Sequence, residues 1–224
     1  MFKDAGHLAQ VIDHTLVRPD ATLNDLAMAC KDAKKYSFAC VVVNSSHVAQ
    51  ARELLSGTLV RVCSVVGFPH GANTTTVKIV EAMEAVKNGA SELDIVINIG
   101  MVKSEQFNVV EVDLKNVIAM TPQKIHKVII ETGSLTHDEI SRVCRIAVSA
   151  GSEFIKTSTG YGPRGATVED IHLIRQAVGS SCRIKASGGI KDLASLTSLI
   201  EAGAERIGTS AGVAIMEEYL KSRR

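Results

Sequence analysis

Short apolar runs recur along this chain at intervals of one helix. They cover residues 10–14, 38–44, 59–66, 91–98, 127–131, 153–156, 182–186 and 205–208. Each is too short for a core helix and mostly apolar at consecutive positions, which predicts strands buried on both faces. Between them lie helix-sized segments of amphipathic spacing, such as Leu23, Leu26, Ala27 and Cys30 after Thr22. Thr136 with Glu139 forms a capping-box pair, Thr167 opens a further helix and Gly179 closes it. Three helix-to-strand joints read alike: Asn88-Gly89-Ala90, Ala150-Gly151-Ser152 and Ala202-Gly203-Ala204. They mark a weak internal repeat of αβ units with glycine after the helix. Eight such units predict an α/β fold with parallel strands and right-handed crossovers, closing into a single (β/α)8 TIM barrel. The alternative, a doubly wound open sheet, expects a glycine fingerprint after the first strand, and Asp13-His14-Thr15-Leu16-Val17 has none. No linker or low-complexity stretch interrupts the pattern, so residues 1–224 are expected to form one domain.

Composition narrows the choice of partner. Basic and acidic residues number 25 and 24, for a net charge of +1, which provides no footprint for nucleic acid or a membrane surface. Apolar residues make up 46% and aromatics 4%, so the core has to be built from Val, Ile, Leu and Ala. The five cysteines, at 30, 40, 63, 144 and 182, are odd in number and show no CxxC spacing. Neither a disulfide framework nor a zinc site is expected, and reduced thiols in a cytoplasmic protein are the simplest reading. No signal peptide and no apolar run of membrane length is apparent.

In a parallel barrel the chemistry lies at the C-terminal ends of the strands. Two of those ends stand out. Glu153-Phe154-Ile155-Lys156-Thr157-Ser158-Thr159-Gly160 and Arg183-Ile184-Lys185-Ala186-Ser187-Gly188-Gly189 each run from a buried strand through a lysine into a turn of small residues. A lysine at a strand end is usually a snorkelling surface residue. Two in the same context on adjacent strands favour a site. Amines about 6 Å apart at an effective dielectric of about 20 repel by about 3 kcal/mol, roughly two pKa units. One should then be uncharged near neutral pH and able to form an imine with a carbonyl substrate. Asp94, inside the fourth strand, is expected to face Lys156. The turns Ser187-Gly188-Gly189 and Gly208-Thr209-Ser210, each leading into a helix, suit an anion such as phosphate. No metal cage and no cofactor is indicated. His14 and His70 are expected in supporting roles, and His126 on the stability face. Another imine-forming phospho-sugar lyase with a larger ketone donor, or a non-catalytic phospho-sugar-binding barrel, remain open at this point.

In order from strand one to strand eight, the chain carries Ile12-Asp13-His14-Thr15-Leu16, Gly67-Phe68-Pro69, Glu92-Leu93-Asp94-Ile95-Val96-Ile97-Asn98, Glu131-Thr132-Gly133, the two lysine motifs, and Arg206-Ile207-Gly208-Thr209-Ser210. In these it resembles the deoxyribose-phosphate aldolases, imine-forming TIM-barrel enzymes. The resemblance implies cleavage of 2-deoxy-D-ribose 5-phosphate to acetaldehyde and D-glyceraldehyde 3-phosphate. It assigns the imine to Lys156, proton transfer and pKa depression to Lys185, and a proton relay through a bound water to Asp94. Gly188, Gly189 and Ser210 would hold phosphate, and Gly160, Thr157, Asp13 and Asn44 would complete the substrate site. Small phosphorylated sugars and aldehydes would be the partners. The sequence marks no interface, and a homodimer is expected only as the commonest assembly of soluble oligomers. The chain departs from the family at Val42-Val43-Asn44-Ser45, where many members read Cys-Val-Asn-Pro, leaving Cys40 deeper on the same face. Arg164 stands where glycine is common, an added phosphate contact if it reaches the site. Ala211 replaces a common second serine.

Overall fold

The structure is a computed structural model and describes residues 2–223. Eight parallel strands close a barrel in sequence order, β1 pairing with β8. The chain opens with α1 (Ala5–Ala9), β1 (Ile12–Leu16), α2 (Leu23–Tyr36), β2 (Cys40–Val43) and α3 (Val48–Leu54). It continues through β3 (Arg61–Val66), α4 (Thr75–Lys87), β4 (Glu92–Val96), α5 (Ile99–Lys103), α6 (Phe107–Ala119) and β5 (Ile125–Ile129). The last elements are α7 (His137–Ser149), β6 (Phe154–Lys156), α8 (Val168–Val178), β7 (Arg183–Ser187), α9 (Leu193–Glu201), β8 (Arg206–Thr209) and α10 (Gly212–Ser222).

Local chemistry sets most of these boundaries. The Thr136–Glu139 capping box opens α7, and equivalent boxes, Thr22 with Asp25 and Thr167 with Asp170, open α2 and α8. Gly89, Gly151 and Gly203 take positive φ at the three repeated joints, as a helix C′ position requires. Two strands sit two residues from their expected places. Gln10 caps the short helix α1, so β1 starts at Ile12. β5 starts at Ile125, which puts His126 inside the strand and buries it, and leaves Glu131 beyond the strand in a left-handed conformation.

The strands are mostly buried but are not apolar on both sides. Side chains alternate along a strand. Val41, Val43, Leu93, Ile95, Ile155, Ile184 and Ile207 join the helices in one apolar shell. Each such side chain contributes about 1.5–3 kcal/mol on full burial. The residues between them, including Cys40, Glu92, Asp94, Lys156, Lys185 and Arg206, turn the other way and fill the barrel. A small apolar cluster of Cys40, Val42, Cys63 and Val65 fills one side of that interior, and charges fill the rest.

Candidate active site

The charged interior has a fixed order, given by the strand register. Lys127 on β5 is the Cα partner of Asp94 on β4, and Lys156 on β6 is the partner of Lys185 on β7. Asp94 lies at the centre. Its Oδ2 accepts from Nζ of Lys156 at 2.7 Å and from Nζ of Lys185 at 2.8 Å. Its Oδ1 accepts from Nζ of Lys127 at 2.9 Å and from Sγ of Cys63 at 3.2 Å. Below it, Lys127 pairs with Glu92 at 2.6 Å and Lys185 with Asp13 at 2.5 Å. The Arg206 guanidinium bridges Asp13 and Glu92. All seven charged groups and Cys63 are buried.

Charge balance decides the state of Lys156. Asp13, Glu92 and Asp94 supply three carboxylates, and Lys127, Lys185 and Arg206 supply three cations. A protonated Lys156 would be a fourth cation in a buried cluster that is already neutral. The half-exposed Arg61, 3.1 Å from Glu92, adds a further, solvent-screened positive charge. The Lys156 amine is accordingly pushed below the ordinary lysine value. Burial is the largest cause and repulsion from Lys185 a smaller one, both working against the attraction of Asp94. Lys185 moves the other way, because Asp13 and then Asp94 outweigh its burial. The expected mechanism, mutual repulsion, therefore has the right direction but is the lesser cause. Asp94 faces Lys156 as expected, and its carboxylate lies between the two amines.

Lys156 stands at the edge of a cavity of about 490 Å³, whose walls come from residues 15–18, 159–161, 187–191 and 208–210. Gly160, Gly188, Gly189 and Ser210 line it as expected of anion contacts. The two helix starts behind the turns differ. Asp192 caps α9, its Oδ1 accepting from Ser195 N at 2.7 Å, so that end already holds a negative charge. Ala211 offers α10 no side-chain cap, which leaves the amides of the first turn of α10 as the better anion donors.

Three expected substrate contacts fall elsewhere. Asp13 is buried beneath Lys185 as its counter-ion. Thr157 faces away from the cavity, its Oγ1 accepting from Ser187 N at 3.1 Å, because it neighbours Lys156 and alternates with it. Asn44 braces a wall from behind, donating to the Val17 carbonyl at 3.4 Å. Arg164 forms a two-pronged pair with Asp170 at 2.5 and 2.9 Å, so its expected phosphate contact is not made. His70 is exposed, and His14 packs on Phe38. Lys127, Glu92, Arg206 and Cys63 were not anticipated. Glu92 was within reach, because period-two alternation puts it on the same face as Asp94. Among the described residues, Asp13, Cys40 and Glu92 come close enough to suggest a metal site, but Arg206 already neutralises the two carboxylates.

An amine whose pKa is lowered by burial, bonded to a carboxylate that a second lysine also holds, at the edge of an anion-lined cavity, can form and hydrolyse imines. Comparison with known proteins agrees with this chemistry. Residues 7–218 match the family model described as DeoC/LacD family aldolase. The chain is 52% identical over 213 residues to a deoxyribose-phosphate aldolase of Methanothermobacter thermautotrophicus, covering 95% of each protein. It is 48% identical over 218 residues to one from Caldanaerobacter subterraneus, covering 96% of this chain and 94% of that protein. Among solved structures, the tetrameric deoxyribose phosphate aldolase from Aeropyrum pernix superposes with a TM-score of 0.91 at 30% identity, over 98% of this chain and 93% of that one.

Proposed function

The chain belongs to the DeoC/LacD aldolase family, and on that premise we propose that it cleaves 2-deoxy-D-ribose 5-phosphate to acetaldehyde and D-glyceraldehyde 3-phosphate through an imine on Lys156. The observation that carries this reading is the single oxygen of Asp94 shared by Lys156 and Lys185.

The uncharged Lys156 amine adds to the C1 aldehyde of the open-chain sugar and loses water to give a protonated imine. The C3 hydroxyl then gives up its proton, and Asp94 with Lys185 forms the relay that receives it. The C2–C3 bond breaks, its electron pair enters the iminium to form an enamine, and glyceraldehyde 3-phosphate leaves. Protonation of the enamine and hydrolysis of the imine release acetaldehyde and restore the amine. Gly188, Gly189, Ser210 and the start of α10 hold the phosphate. Binding of this remote group places C1 against Lys156 in a reactive geometry. Sequence and fold alike support one catalytic domain over residues 1–224, the family match running from 7 to 218.

A homo-oligomer belongs to the same reading, since one relative is described as tetrameric, and a dimer is the smallest form that satisfies it. Five unpaired thiols suit a reducing cytoplasm, and no helix among the described residues is long and apolar enough to cross a membrane. The test is direct. Purified protein given 2-deoxyribose 5-phosphate should release acetaldehyde and glyceraldehyde 3-phosphate in equal amounts, and Lys156→Ala should not. Activity confined to ketone donors would instead support a different imine-forming lyase.

A further inference from the structure

We infer that Glu131 is a positioning residue for the phosphate end of the cavity, a role that rests on the aldolase reading above. Glu131 follows β5 with φ +55° and ψ 64°, a left-handed conformation that a non-glycine residue adopts only when its surroundings enforce it. Its side chain is buried, and it does not line the cavity. Oε2 accepts from the backbone N of Thr159 at 3.1 Å and from the Thr159 hydroxyl. That same hydroxyl oxygen accepts from the N of Tyr161 at 3.0 Å. Glu131, Thr159 and Tyr161 therefore form one chain of hydrogen bonds that shapes the β6–α8 loop.

The second oxygen, Oε1, is buried without a hydrogen-bond partner and abuts Gly162, where an added Cβ would come within 2.5 Å of it. The carboxyl group thus sets the path of the loop both by bonding and by contact. The loop in turn rests on the anion turn. A Cβ on Gly188 would lie 3.0 Å from the Cα of Gly165 and 3.6 Å from that of Gly160. Tyr161 extends the same wall, its phenol donating to the Val17 carbonyl at 3.3 Å and its ring meeting Phe68 edge-on. Lys156 lies on β6 ahead of this loop, so releasing Glu131 should loosen the phosphate wall and leave the amine in place.

The test compares Glu131→Ala, Glu131→Gln and Thr159→Val in the full chain, using 2-deoxyribose 5-phosphate, unphosphorylated 2-deoxyribose and inorganic phosphate as inhibitor. Glu131→Ala and Thr159→Val should each raise KM for the phosphorylated sugar and Ki for phosphate by roughly tenfold, the loss of one charge-assisted hydrogen bond. KM for the unphosphorylated sugar should change far less, and borohydride trapping of acetaldehyde on Lys156 should be unchanged. Glu131→Gln, which keeps an acceptor oxygen, should recover most of the affinity. Equal losses for both sugars, a fall in kcat with KM unchanged, or a lower Tm with normal kinetics would each overturn the assignment. If Glu131→Ala does not fold, Thr159→Val decides by the same criteria. Absence of any acetaldehyde adduct in the unaltered protein would defeat the aldolase reading itself, while the phosphate Ki would still report on the loop.

Discussion

Lys156 and Lys185 donate to the same oxygen atom, Oδ2 of Asp94, at 2.7 and 2.8 Å. The shared acceptor holds the two nitrogens no farther apart than the sum of those distances. It also ties the protonation of one amine to the charge of the other. Lys185, paired with Asp13 as well, is held above the ordinary lysine value, and Lys156 is pushed below it.

Removing Lys185 should therefore shift the pH dependence of catalysis. In Lys185→Leu, three carboxylates would face only Lys127 and Arg206, and Lys156 would become the missing cation. Its pKa should rise, moving the acidic limb of the kcat profile to higher pH. Turnover at neutral pH should fall from that cause alone. A pH–rate profile with an unmoved limb would show that the charge balance does not control Lys156.

Acid stability should report the same cluster. Burial alone would raise the Asp94 pKa, but Lys127, Lys156 and Lys185 outweigh it and hold the carboxyl well below the carboxylate range. Asp13 is likewise held low, Arg206, Lys185 and Lys127 overcoming its burial. The unfolded chain thus takes up these protons first, at about pH 4. Stability from these groups is complete above about pH 5 and is lost as pH falls toward their folded values. Denaturant unfolding from pH 7 to 3 should show a steep loss below about pH 5, and Asp94→Asn should flatten it. An equal slope in the variant would place the acid sensitivity elsewhere.

The cysteines inside the barrel should resist electrophilic aldehydes. Position 42 is a valine and offers no thiol, and Cys40 and Cys63 are fully buried. Burial, the largest cause, pushes the Cys40 thiol well above its ordinary value, which keeps it from being the reactive thiolate. Incubation with crotonaldehyde should leave activity and the masses of peptides containing residues 40 and 63 unchanged over many turnovers. Rapid inactivation with an adduct on either residue would contradict this.

A buried pair outside the barrel provides a control for stability without chemistry. Nζ of Lys78 on α4 lies 2.6 Å from Asp113 on α6 and 2.9 Å from the Val96 carbonyl at the end of β4. Lys78→Met should strand the buried Asp113 carboxyl and destabilise the protein by about 3–5 kcal/mol, read as a lower urea midpoint. At temperatures where the variant is folded, the pH–rate limb should stay in place. A neutral effect on stability would show that Asp113 finds another partner.

The two lysine motifs were legible because a charge ends an apolar strand and small residues follow, and the barrel was legible from alternation of element types. Lys127 and Arg206 were not. Arg206 opens β8, and Lys127 opens the fifth strand as the sequence predicts it, where an isolated charge looks like a strand edge. Lys127 meets Asp94 and Glu92 only through the β4–β5 register, and Arg206 meets Asp13, 193 positions away, only when the barrel closes. Thr157 was misplaced for a different reason. Nearness to a catalytic position in sequence says little about facing, because one step along a strand reverses the side chain. Asn44 lies just past the end of β2, where its side chain turns to the Val17 carbonyl. Glu131 was visible as a residue near the end of β5, but its left-handed backbone and its bond to Thr159 depend on the β6–α8 loop folding over it.

Borohydride reduction in the presence of acetaldehyde, followed by peptide mass mapping, interrogates the uncharged amine itself. One two-carbon adduct should appear, on the peptide containing Lys156, at neutral pH, and it should be absent from Lys156→Ala. An adduct on Lys185 or Lys127, or none on any lysine, would mean that the barrel's charges do not leave Lys156 free to react.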